Sequence, residues 1–251
     1  MSKPAVLRAM RKLLIGSVLF RPARFGYQSL FDRAATSRRR ARKRLYSQFI
    51  HPGDLVFDVG ANIGNYSETF LSLGARVVAV EPDPRNLAML QRRFADRVFI
   101  ESCALGRKDG AAELHMCAND KVSTLSEEWV KAFKAEWNET TTVAVSTLDA
   151  LKTKYGAPQH VKIDSEDYDY EVLCGMSFMP DSLSFEFHLG RLTVTRSCLE
   201  RLRGRKFNFT MANDCVLQID RWVDSDDMSM RLSGLPMIEN LDFGDVFSIA
   251  K

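Results

Sequence analysis

The sequence has few cysteines, and their spacing excludes the usual paired uses. Cys103, Cys117, Cys174, Cys198 and Cys215 make an odd number with no Cys-x-x-Cys among them. That argues against a disulfide framework and against a zinc site, and favours a reducing compartment. No Gly/Ser/Pro-rich linker divides the 251 residues, and there is no internal repeat or low-complexity segment. With 45% apolar residues the chain can bury one full core, so one domain with additions is expected rather than two small ones. Long hydrophobic runs are missing as well. Residues 13–20 follow Arg11-Lys12 as the apolar part of a signal peptide would, but run into Arg21-Pro-Ala-Arg24 without a small-residue cleavage site. They are also far too short to span a bilayer. The expectation is a soluble, cytoplasmic protein.

Charge is present but unevenly placed. Residues 1–48 hold 13 Lys/Arg against one acid, Asp32, while the other 203 residues hold 22 Lys/Arg against 31 Asp/Glu. A mildly acidic body therefore carries a basic N-terminal arm, expected to be helical over residues 1–50 and broken near Pro22 and Gly26, with Val6, Met10, Leu13 and Leu14 at helical spacing. The run Arg38-Arg-Arg-Ala-Arg-Lys-Arg44 reads first as a solvated helix face. An anionic partner, including a membrane surface met peripherally, is the alternative. The run has no interleaved aromatics, which disfavours a nucleic-acid platform.

What is present from residue 51 onward is alternation. An apolar run at residues 55–59, a loop of small polar residues and a helical run to about residue 73 predict a buried parallel strand turning sharply into a helix. Further strands are expected at residues 76–80, 97–102, 112–116, 143–145, 160–164, 183–188, 207–210 and 246–250. Helices are expected at 86–94, 126–136, 148–155 and 196–203, with Ser146 or Thr147 capping the third of these. Repeated strand–helix units indicate an α/β fold, a mostly parallel sheet with helices on both faces.

The first loop selects a ligand class. Gly60 and Gly64 allow close backbone approach, and Asp58 puts a carboxylate at the strand's C-terminal edge, where open α/β sheets bind ligands. A dinucleotide fingerprint fails, because its second and third glycine places are Asn62 and Asn65, and no Gly-Lys-Ser/Thr phosphate loop follows. A nucleoside without phosphates suits the stretch, and S-adenosylmethionine is such a ligand. Glu81, at the end of the second strand beside Pro82, can accept from two ribose hydroxyls. Asp58 and the residues 60–64 loop, with Asn62 and Asn65, would face the aminoacyl tail, and Cys103-Ala104 would meet adenine.

Four segments, Val56-Phe-Asp-Val-Gly-Ala-Asn-Ile-Gly64, Ala79-Val-Glu-Pro-Asp-Pro-Arg-Asn86, Val145-Ser-Thr-Leu-Asp149 and Lys162-Ile-Asp-Ser-Glu-Asp-Tyr-Asp-Tyr-Glu-Val-Leu-Cys-Gly175, resemble the FkbM-type methyltransferase family in the same order. The resemblance spans about residues 51–190 and implies a class I methyltransferase, Rossmann-like fold with a seven-stranded sheet over residues 51–251. It also implies S-adenosylmethionine and O-methylation of a sugar, glycan or secondary-metabolite hydroxyl. One position departs: Asp167 stands where the family pattern has Gly.

A neutral hydroxyl is a poor nucleophile, so a positioned base must take its proton or a divalent metal must lower its pKa. Asp164, Glu166, Glu186 and His188, at the ends of the fourth and fifth strands, are expected to gather near the methyl. The favoured scheme makes His188 or Asp164 the base, with Glu186 beside them. The other gives Asp164, Glu166 and Glu186, or His188, to a divalent cation. Lys162 is expected to neutralise this cluster, and Tyr168 and Tyr170 to pack, with Tyr168 able to line the acceptor pocket. A non-catalytic binding protein using the basic arm, and an N-methyltransferase, are the competing readings.

Overall fold

Alternate residues of the central strands enter different cores, which is why those strands are apolar throughout. In this computed structural model, residues 33–117, 122–132, 136–212, 214–238 and 241–250 are described. In chain order the elements are α1 (Arg33–Tyr46), β1 (Leu55–Val59), α2 (Asn65–Ser72), β2 (Arg76–Val80), α3 (Pro84–Phe94), β3 (Phe99–Glu101), β4 (Ala104–Leu105), β5 (Gly110–Cys117), β6 (Ser123–Thr124), α4 (Glu127–Ala132), β7 (Trp137–Ser146), α5 (Leu148–Tyr155), β8 (His160–Ile163), α6 (Asp169–Cys174), β9 (Ser182–His188), α7 (Leu192–Arg201), β10 (Lys206–Phe209), α8 (Ser225–Ser233) and β11 (Phe243–Ile249). Leu55, Phe57 and Val59 of β1 share one core with Val78 and Val80 of β2, whereas Val56 shares the other with Val77 and Ala79. Both faces of the sheet are therefore covered.

The seven strands run in the order β10-β11-β9-β8-β1-β2-β3. β11 is antiparallel to both its neighbours, and the other pairings are parallel. This is the expected class I methyltransferase arrangement. The C-terminal ends of β2, β1, β8 and β9 consequently open on one edge, with the order reversing around β1. Local sequence explains the helix starts: Asp83 accepts from the Arg85 N–H ahead of Pro84, Thr147 from the Ala150 N–H, and Asp224 from the Asp227 N–H.

Several expectations need correction. A second, four-stranded sheet, β4-β7-β5-β6, stands beside the first. Its long pair β5–β7 sets Glu113, Leu114 and His115 against Thr142, Thr141 and Thr140. A face held by cross-strand threonines exposed to water carries no apolar run, so the sequence suggested only a short extended piece. α4 and α7 differ in extent from the helices expected at 126–136 and 196–203, and α8 was not foreseen. Leu45, Tyr46 and Ile50, at the end of the segment expected to form the arm, are buried in the second core. The arm's expected break near Pro22 and Gly26 and its apolar spacing from Val6 to Leu14 lie outside the described residues. No helix among the described residues is long and apolar enough to cross a membrane.

Tyr46 packs edge-on against Phe70 at 5.0 Å and His160 at 5.4 Å and is fully buried. Tyr46→Ala should lower unfolding free energy by about 3–5 kcal/mol, as large-to-small changes in aromatic cores do, measured by urea denaturation.

Candidate functional site

The loop after β1 begins with a glycine that nothing else could replace. Gly60 has φ +74°, and a Cβ there would overlap the backbone carbonyl of Asp164, at the end of neighbouring β8. The two strand ends are thus pressed together, with the Asp164 N–H bonded to the Val59 carbonyl at 3.0 Å. Above them lies a cleft of about 260 Å³. Its walls are residues 59–63 with Asn65 and Tyr66, residues 80–82 at the end of β2, residues 103–105 after β3, and residues 164–166 after β8. Leu114 and residues 123–125 of the second sheet close another side. Thr124 Oγ1 donates to the Glu166 carbonyl at 2.6 Å and Ser123 Oγ to Asp83 at 2.8 Å, tying this segment to both strand ends.

Of the expected cofactor residues, Gly60, Asn62, Asn65, Glu81, Pro82, Cys103, Ala104 and Asp164 line the cleft. Asp58 and Gly64 do not line it. Asp58 is fully buried beneath the loop, accepting from Ser67 Oγ at 2.5 Å, and burial raises its pKa. Gly64, at φ +80°, is required by packing, because a Cβ would overlap Phe94 and Leu90 of α3.

Glu81 joins loop and strand. Its Oε2 accepts from the Asn62 N–H at 2.6 Å and its Oε1 from the Asp83 N–H at 2.8 Å. Burial outweighs those bonds and pushes its pKa up to about 7.

At the other end the carboxylates are crowded. Lys162, buried in β8 opposite Asp58 and Ser184, donates to Asp164 Oδ2 at 2.7 Å, the neutralising role expected of it. His188 and Glu186 are bonded at 3.1 Å, with 24% and 17% of their side chains exposed, and Trp129 packs on the imidazole at 4.6 Å. Glu166, Glu186 and His188 have donor atoms within 4.8 Å of one another. All three were among the expected candidates; the fourth, Asp164, accepts from Lys162. Burial and neighbouring charges raise Glu166, and raise Glu186 and Asp169 to about 7 and Asp245 to about 6. For His188 burial lowers the pKa, but the bond to Glu186 and its charge prevail and leave it raised.

The turn after β8 holds Glu166 at φ +53° and Asp167 at φ +72°, a conformation natural to glycine. Asp167 is held there by Arg191, whose Nη2 and Nε donate to Oδ2 at 2.5 and 3.1 Å, while Arg191 also reaches the Glu128 carbonyl. The turn thus forms with Asp in place of Gly at position 167.

Arg42, Tyr66, Leu114 and residues 123–125 also line the cleft, as does Tyr168. One signal existed for Arg42: it lies one helical turn before Tyr46 and so shares its inward face. The donor set fits S-adenosylmethionine in kind: a carboxylate for a ribose diol at Glu81, small and apolar residues 103–105 for adenine, and opposite charges at Asp164 and Arg42 for a zwitterionic tail.

A family model described as methyltransferase FkbM domain matches residues 58–197. Ribosomal RNA small subunit methyltransferase A of Chlamydia trachomatis is 37% identical over 62 residues, 25% of this chain and 22% of that protein. Solved structures similar to the chain include a TehB-like SAM-dependent methyltransferase from Corynebacterium glutamicum, with TM-score 0.46, 11% identity and coverage of 84% of this chain and 88% of that one. Another is precorrin-6y C5,15-methyltransferase from Geobacter metallireducens, with TM-score 0.43, 13% identity and coverage of 82% and 85%.

Two outcomes follow from the geometry. Arg191→Ala should cost about 3 kcal/mol, as breaking a buried pair does, but under about 1 kcal/mol in an Asp167→Gly background, where glycine adopts the turn unaided; a double-mutant cycle in urea measures both. The raised carboxylates bind more protons folded than unfolded. Their contribution is full below the ordinary carboxylate range and is lost as pH rises through 6–7. The ligand-free protein should therefore melt higher at about pH 5.5 than at about pH 8, with a smaller difference in Glu81→Gln.

Proposed function

The chain belongs to the methyltransferase FkbM domain family, and on that premise we propose that it methylates a hydroxyl of a sugar, glycan or secondary-metabolite acceptor. Bound in the cleft, S-adenosylmethionine supplies an electrophilic methyl on a sulfonium. Glu81 holds the ribose hydroxyls, and the backbone and small side chains of Cys103 and Ala104 hold adenine. The negative edge formed by Asp164 and Glu166 favours a cationic sulfonium near it.

The observation that carries the O-methylation reading is the bonded His188–Glu186 pair beside Glu166, itself a cleft wall residue. A hydroxyl acceptor needs its proton removed as the new bond forms, and an imidazole oriented by a carboxylate is suited to that. Asp164 is the weaker candidate, because its carboxylate is engaged by the Lys162 ammonium. His188 Nδ1 takes the acceptor proton, since Nε2 is bonded to Glu186, and Glu186 stabilises the imidazolium that results. An amine acceptor needs less such assistance.

A second reading has one observation in its favour, the proximity of Glu166, Glu186 and His188. Two carboxylates and an imidazole can hold a divalent cation, which would lower the acceptor's pKa in place of a base. On the base reading, activity survives excess chelator; loss restored by added Mg²⁺ or Mn²⁺ would assign the three residues to a metal instead.

Calorimetry should detect S-adenosylhomocysteine binding, and Glu81→Ala should weaken it at least about tenfold, the effect of losing hydrogen bonds to a charged group. Absence of binding by the folded protein would sink the methyltransferase reading. His188→Asn should leave that affinity intact while lowering kcat about 100-fold or more. Because His188 titrates above its ordinary value, the wild-type rate should climb with pH through that raised pKa, and the variant's profile should lose the step.

A further inference from the structure

Among the described residues lining the cleft, Arg42 is the only lysine or arginine. It approaches from α1 to the start of α2, where its Nη1 donates to the Asn65 carbonyl at 3.0 Å. Its guanidinium lies 4.3 Å over the Tyr66 ring, and Cys215 interacts with it as well. The Nε is buried without an acceptor. Some arginines of this domain are matched to carboxylates, Arg85 to Asp83, Arg93 to Glu68, Arg107 to Glu171 and Arg191 to Asp167, while Arg201 and the buried Arg205 spend their donors on carbonyl and hydroxyl oxygens. Arg42 forms no ion pair among the described residues. A guanidinium in that position has donor capacity left and a charge that no bonded carboxylate offsets.

The surroundings narrow the anion it can take. An anionic acceptor would have to come close to Asp164, Glu166 and Glu186, three carboxylates gathered at one end of the cleft. A bound methyl donor brings its own anion, the carboxylate of its aminoacyl tail, together with an ammonium of opposite preference. Asp164 Oδ1 accepts no hydrogen bond among the described residues and suits the ammonium. The start of α2, eight residues long with Gly64 at its N-cap and no side-chain cap, adds favourable potential for a negative group beside Arg42.

We propose that Arg42 is a cofactor-binding residue that grips the α-carboxylate of the donor's aminoacyl tail, so that the last turn of α1 forms part of the cofactor site. This rests on the methyltransferase reading above. It also separates Arg42 from the rest of the basic run: the neighbouring Lys43 and Arg44 are exposed, and Lys43 reaches only the Ser72 carbonyl.

Two probes distinguish the possibilities in calorimetry: S-adenosylhomocysteine, which has the aminoacyl tail, and 5′-methylthioadenosine, which lacks it. Arg42→Gln in the full chain should weaken binding of the first about tenfold or more, as loss of a charge-assisted pair does, and change binding of the second less than about twofold. Unchanged affinity for S-adenosylhomocysteine overturns the proposal. Equal loss for both probes also overturns it, because that pattern means Arg42 supports the fold of the cleft rather than the carboxylate. Wild-type protein that binds neither overturns the donor reading itself, and this inference with it.

Discussion

An ammonium removed from water costs several kcal/mol unless carboxylates surround it, and Lys162, only 1% exposed in its side chain, has such surroundings. Asp164 accepts from it directly, Asp58 sits opposite in the β1 register, and the Tyr66 ring lies 4.1 Å beneath the charge. Asp245 belongs to the same field and faces Glu186 across β9 and β11. The dependence runs in both directions. Without the cation the acids at the C-terminal edge of four strands would repel one another at close range. Without the acids a buried lysine would titrate downward.

That arrangement divides the cleft electrostatically. Glu81 governs one end, held by two backbone N–H groups and isolated from the acid cluster. Asp164 and Glu166 govern the other, with Glu186 and His188 beside them. Arg42 stands against the loop between, the one basic wall residue among those described. A ligand with a neutral diol, a cationic centre and a zwitterionic tail meets complementary groups in each zone, whereas a polyphosphate would meet two carboxylate ends. Composition cannot express this, because it follows from where charges lie relative to one another.

The turn after β8 illustrates how a local cost is carried by distant parts. A non-glycine residue at φ +72° is unfavourable, and Asp167 keeps that conformation because Arg191, from the 3₁₀ turn after β9, bonds it while bridging to α4. Ser165, in the same turn, donates from N–H and Oγ to Asp169, at the start of α6. The wall that presents Glu166 is thus fixed by the start of α6 and by two elements remote in sequence.

Much of the fold was legible in the sequence because buried parallel strands must be apolar on both faces. Residues 55–59, 76–80 and 160–163 declare themselves, and Asp83-Pro84 and Thr147 declare the helices that follow. That Gly60, Glu81 and Cys103-Ala104 line one cleft was readable for a related reason: in this topology the loops at the C-terminal strand ends meet at one edge. The β5–β7 pair was not readable, since exposed threonine strands have no hydrophobic period. Nor could the sequence separate Gly60, which lines the cleft, from Gly64, which packs on Phe94, or Asp164 in the cleft from Asp58 beneath it. Identical residue types in one motif differ there only in what lies across from them. The sequence by itself determined the sheet and the methyltransferase family of the chain, through patterns that are local and periodic. Only the tertiary structure decided that Arg42 turns inward, that Arg191 replaces a glycine's freedom and that His188 meets Glu166 and Glu186, because each is a contact between segments whose separation no local period encodes.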